Sequence, residues 1–139
     1  MKGRFAVAVL ATVAVYSGAS LLASAFTPAP DPSGSADSYF WLLALIGAAV
    51  VFLAVSAGSW ISRGAFLLPA LALWAVLTLP TLWLVYQLQL AAAPVSLGEF
   101  SLRNLPMAGA TFAATLAGVA FGRFLARVGS RAGGTRAAT

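Results

Sequence analysis

The sequence predicts an all-α integral membrane protein: four transmembrane helices in an antiparallel bundle, with a short interfacial helix before the last span. Three observations predict it. Apolar residues make up 61% of the chain and charged residues only 8%, whereas soluble domains carry about 25% charge. The apolar residues fall into four long runs, each able to cross a hydrocarbon core of about 30 Å at about 1.5 Å per residue. The few charges gather at the ends of those runs, sorted by sign.

The first span is residues 5–26, preceded by Lys2 and Arg4. A basic start, an apolar run and Ala23-Ser24-Ala25 also fit a cleaved signal peptide. The run is longer than the usual signal core of about 7–15 residues, which favours a retained span. Residues 27–38 read TPAPDPSGSADS, a loop by their prolines, glycine and serines. Asp37 or Ser38 is the expected N-cap of the second helix, since a short side-chain oxygen satisfies a free backbone N–H there.

The second span is residues 39–61. Tyr39 and Trp41 open it and Trp60 closes it, matching the two headgroup zones where amphipathic rings settle. Ser62-Arg63-Gly64 is the whole connection to the third span, residues 65–86, so these two are expected to form an antiparallel hairpin. Pro69 falls in the first turns of the third span. Pro80 sits inside it, where it removes the N–H for the Val76 carbonyl and bends the helix. Thr78 and Thr81 can supply hydroxyls to the disturbed turn.

The longer connection between the third and fourth spans carries a local code. Ser96 and Glu99 have the spacing of a capping box, with Val95 and Phe100 placed as its hydrophobic staple. Glu99 and Arg103 stand four apart in the favourable order. A helix starting near Leu97 and lying at the membrane surface is expected. It either bends at Pro106 into the fourth span or breaks at Asn104.

The fourth span, residues 105–127, carries Ala110, Ala114, Gly118 and Gly122 four apart. Lipid tails are as apolar as leucine, so helices in a membrane associate by close backbone approach, which such a row permits. It is read as a helix-packing face, within the chain or toward a second copy or a partner subunit. Arg123, Arg127 and Arg131 form a second i,i+4 row, a candidate contact for anionic lipid or an acidic partner, and equally a topology anchor. Residues 128–139 read as a basic, disordered tail, leaving residues 1–127 as one transmembrane domain.

Threading four spans from a cytoplasmic N-terminus puts Lys2, Arg4, Arg63, Arg123, Arg127, Arg131 and Arg136 on the cytoplasmic side. Arg103 and the three acids, Asp31, Asp37 and Glu99, fall on the other. The positive-inside rule therefore favours a bacterial-type plasma (inner) membrane with both termini cytoplasmic.

The chain has no Cys and no His, which removes thiol nucleophiles, zinc sites and axial haem histidines. No serine has a neighbouring base to activate it. No ionisable residue lies deep in a span, where ion paths and proton relays would place one. The net charge of +5 sits at span ends, without the basic face of a nucleic-acid binder. No catalytic residue, metal or cofactor is expected. Two function classes fit: a structural, accessory or assembly component acting through helix packing, and a small transporter or lipid-handling protein. The second needs Ser17, Ser20, Thr78, Thr111 and Thr115 to converge on one polar path.

Overall fold

The computed structural model describes residues 2–27, 36–63, 66–92 and 94–134. They form four α-helices: α1 (Lys2–Phe26), α2 (Ala36–Ile61), α3 (Leu67–Ala92) and α4 (Leu97–Gly134). All four are long and apolar enough to cross a membrane. Each shows little amphipathic bias, as expected where lipid and protein neighbours are equally apolar.

The helix ends depart from the sequence reading in three places. α2 starts at Ala36, so Asp37 and Ser38 lie inside its first turn and not at its cap. α3 runs on to Ala92, through Pro80, where the Thr81 hydroxyl donates to the Leu77 carbonyl at 2.7 Å. α4 is one helix from the capping box to Gly134, with neither a break at Asn104 nor a separate interfacial helix. Asn104 does not cap a new helix, because its side-chain amide donates to the Phe100 carbonyl one turn back at 2.9 Å. The 38 residues of α4 reach about 57 Å, well beyond a hydrocarbon core of about 30 Å. The first seven residues of the expected tail, 128–134, continue this helix. Asp31, Gly64 and Arg136 lie outside the described residues.

The capping box forms as spaced. The Glu99 N–H donates to Ser96 Oγ at 3.2 Å, and the Ser96 N–H and hydroxyl reach Glu99 Oε2 at 3.3 and 3.0 Å. Phe100, buried one residue on, meets the ring of Tyr86 edge-on at 5.1 Å.

The most extensive contact is between α2 and α4; α1 leans on α2, and α3 leans on α4. The short connection does not make α2 and α3 a closely packed hairpin: among the described residues, α3 packs on α4 instead. Contact order gives two directions. Phe52 faces Phe121, and Gly122 meets the turn of α2 beyond the one Gly118 meets, so α2 and α4 run the same way. Trp74 faces Phe112 and Tyr86 faces Phe100, so α3 and α4 run oppositely.

The core gathers Ala8, Val55, Phe66, Ala70 and Val119. Phe66 precedes α3 and is wholly buried. Its ring lies against Gly58, whose missing side chain leaves room for both that ring and the Thr12 hydroxyl. α1 joins the bundle through Ala8 and Thr12 on one buried stripe, four residues apart.

Candidate functional site

The row read from the fourth span lies along α2. Gly118 and Gly122 are buried, while Ala110 and Ala114 are half-buried. A Cβ on Gly118 would stand 2.9 Å from the Phe52 carbonyl oxygen and 3.1 Å from Val55 Cβ. A Cβ on Gly122 would stand 2.5 Å from the Ser56 carbonyl oxygen and 2.9 Å from the Trp60 nitrogen. Only a residue without a side chain lets the two backbones come this close. Gly109 and Gly47, by contrast, have open space where a Cβ would go.

Hydroxyls line this seam and the neighbouring contact of α1 with α2, and each buried one among the described residues has a partner. Ser59 donates across to the Val119 carbonyl at 3.0 Å. Thr12 donates to Ala8 at 2.8 Å, Ser56 to Phe52 at 2.6 Å and Thr115 to Thr111 at 2.8 Å, all carbonyls one turn back in the same helix. Among the described residues, no buried side-chain nitrogen or oxygen lacks a hydrogen bond.

Of the five hydroxyl residues proposed for a polar path, Thr111 and Thr115 lie one turn apart on α4. Ser17 is exposed on α1, whereas Thr115 is wholly buried. Thr111 accepts a hydrogen bond from Trp74 Nε1 at 3.1 Å, which ties α3 to α4.

Beyond the seam α2 ends while α4 runs on. Where α2 ends beside α4 opens a cleft of about 410 Å³, lined by Arg63, Arg123, Ala126, Arg127 and Ser130. The register explains the grouping. Gly122 packs against Trp60, so in two parallel helices Arg63, three residues past Trp60, comes level with the turn after Gly122. Arg123 is half-buried and Arg127 exposed. The backbone of Arg131 is helical, but its side chain lies outside the described residues. Among the described residues that line it, none is acidic. Glu99, in the first turn of α4, is about 36 Å from Arg123 along the helix axis.

Arg63 arrives by an unusual backbone turn. Its φ is 53°, the left-handed region that normally favours glycine at the residue after a helix. Its N–H donates to the Trp60 carbonyl at 3.2 Å, and the Ser62 N–H to Gly58 at 3.0 Å. These bonds close the end of α2 while the chain turns away toward Phe66.

Sequence reasoning missed Arg63 as part of this group, and missed the partner surface of the glycine row. The signal for the second was the small-residue run Ser56-Ala57-Gly58-Ser59. The first required knowing that α2 and α4 are neighbours.

The fold and its surfaces define a multi-pass α-helical membrane protein with one glycine-closed seam and one arginine-lined cleft. Comparison of the chain with protein-family models, curated proteins and solved structures finds no match.

Proposed function

We propose that this chain is a non-enzymatic structural, accessory or assembly component of a bacterial-type plasma membrane, acting through helix packing. Both termini are cytoplasmic. The parallel α2–α4 pair and the antiparallel α3–α4 pair are what an up-down-up-down thread produces. α1 is retained as the first span, in keeping with Ala8 and Thr12 filling the space beside Gly58 and Phe66.

One observation carries the reading. The buried hydroxyls Thr12, Ser56, Ser59 and Thr115 all donate to protein carbonyls along packed helix faces. A transport path needs polar groups that can exchange partners with a substrate. Here they serve cohesion, and the broad apolar faces of α1 and α3, with Leu10, Leu21, Val76 and Trp83 all exposed, are left for lipid, a second copy or a partner span.

The absence of cysteine makes the test direct. Thr115→Cys in an otherwise unchanged protein, reconstituted in vesicles, should resist a charged, water-soluble thiol reagent from both sides. Labelling from either side at the rate of a surface cysteine would mean an aqueous path reaches the seam, and the transporter reading would replace this one. The intact mass of the same sample reports whether α1 is retained.

A further inference from the structure

We propose that the cleft where α2 ends beside α4 binds the headgroup of a doubly charged anionic phospholipid. Arg63, Arg123 and Arg127 hold its two phosphodiesters, and the Ser130 hydroxyl is the neutral polar group beside them. The inference rests on the proposed membrane placement but not on the assembly role.

Three features of the cleft support it. The first is charge and shape. Three guanidinium groups, one from the turn after α2 and two from α4, line one concavity of about 410 Å³, a volume within the range of small-ligand sites. Guanidinium is the planar, multiply donating cation that matches phosphate oxygens. Three like charges along one cleft raise its potential, and a ligand with two negative charges lowers it further than one with a single charge. Ala126 keeps the wall between Arg123 and Arg127 low.

The second is depth. Arg123 lies one turn before Arg127, about 6 Å nearer the bilayer centre. The cleft therefore starts in the interfacial zone, where phosphates sit, and opens toward the cytoplasmic solvent. Trp60 of α2, whose backbone nitrogen backs Gly122 one turn before the cleft, is about half exposed. A soluble phosphate has no use for that apolar ring, whereas a lipid bound by its headgroup lays its acyl chains along it. Basic pockets between transmembrane helices on this side of a membrane suit such headgroups.

The third is the backbone of Arg63. A non-glycine residue in the left-handed region is strained, because its Cβ crowds the following carbonyl oxygen. Glycine stands at the next position, 64, yet the left-handed residue is an arginine lining the cleft. Strain of this kind is characteristic of ligand clamps.

The experiment uses the full chain in nanodiscs of zwitterionic lipid containing a small fraction of cardiolipin or of phosphatidylglycerol. Lipid retained after extraction is counted by native mass spectrometry. Wild type should retain cardiolipin in preference to phosphatidylglycerol. Arg127→Gln and Arg63→Gly should each lower cardiolipin retention about fivefold. Arg63→Gly relieves the positive φ, so lost retention there cannot be ascribed to lost folding; a denaturation midpoint at or above wild type verifies this. Arg4→Gln removes a cation from the same side outside the cleft and should change nothing. Three results would overturn the proposal. One is wild type retaining no more cardiolipin than zwitterionic lipid. Another is Arg4→Gln costing as much as Arg127→Gln, the mark of diffuse surface attraction. The third is pyrophosphate binding with equal affinity in zwitterionic nanodiscs, which would make the ligand a soluble anion.

Discussion

Substituting alanine for glycine at three positions of α4 should give three different results, and the structure sets their order. At Gly122 the added Cβ meets the Ser56 carbonyl oxygen at 2.5 Å, Ser59 Cβ at 2.6 Å and the Trp60 nitrogen at 2.9 Å. Two of these are backbone atoms of α2, so no side chain can swing aside. Restoring a contact of about 3.5 Å requires the helices to part by about 1 Å. The Ser59–Val119 hydrogen bond, now 3.0 Å, then stretches beyond about 3.5 Å and is lost. Overpacking costs about 1–3 kcal/mol, and an interhelical hydrogen bond in a membrane contributes about 0.6 kcal/mol. The helix preference for alanine over glycine offsets up to about 1 kcal/mol. Gly122→Ala should therefore destabilise the bundle by about 0.6–2.6 kcal/mol.

Gly118→Ala meets its neighbours at 2.9, 3.1 and 3.3 Å. Small shifts relieve these contacts, and the two opposing terms nearly cancel, leaving a loss of under about 1 kcal/mol. Gly109 has nothing within 4 Å, so Gly109→Ala should be neutral or stabilising by up to about 1 kcal/mol. Reversible unfolding in mixed micelles by added sodium dodecyl sulfate, followed by tryptophan fluorescence, measures all three. The reasoning fails if Gly122→Ala and Gly109→Ala shift the midpoint equally, or if Gly122→Ala stays within about 0.3 kcal/mol of wild type, below the smallest loss the terms allow. Gly118→Leu with Gly122→Leu should part α2 from α4 altogether.

Two further predictions concern single polar groups. Ser59→Ala removes the seam's cross-helix hydrogen bond and should cost about 0.6 kcal/mol and no more than about 1.7 kcal/mol in the same unfolding assay; a larger loss would mean the hydroxyl organises more than this bond. Glu99→Ala breaks the capping box and should raise hydrogen exchange at the Ser96 and Phe100 amides while leaving the α2–α4 seam protected; protection lost along the whole of α4 would show that its ends unfold together with its middle.

The spans were legible because hydropathy is a strong signal when lipid is the solvent: a run too apolar for water and long enough to cross a bilayer has few other fates. The start of α4 was legible for a local reason, since Ser96 and Glu99 satisfy each other without reference to the rest of the fold. Helix continuity was not. Asn104 and Pro106 look like breaks in sequence, yet the Asn104 amide is satisfied within the helix. Helix neighbours were the least legible. In water an apolar stripe marks the face that must be buried, but in a membrane the lipid-facing and protein-facing sides carry the same residues. Ala110, Ala114, Gly118 and Gly122 therefore announced a close approach without naming its partner. The three-residue connection suggested that α3 would be the neighbour of α2, whereas that place is taken by α4.

The seam and the cleft share one register. Because α2 and α4 run the same way, Gly122 against Trp60 fixes the height at which Arg63 meets Arg123 and Arg127, and the closeness of the two backbones at that turn sets the width of the opening beyond it. A Cβ at Gly122 alters no charge, yet it pushes apart the two walls that carry the arginines, and a bidentate contact to phosphate tolerates little added distance. Lipid retention should therefore rank the three glycine variants in the same order as stability, with Gly122→Ala the weakest binder and Gly109→Ala at wild-type level. If Gly122→Ala is destabilised to that extent but still holds cardiolipin as wild type does, the cleft is independent of the seam, and Arg63 must reach the ligand by its own turn of backbone and not through the packing of α4 on α2.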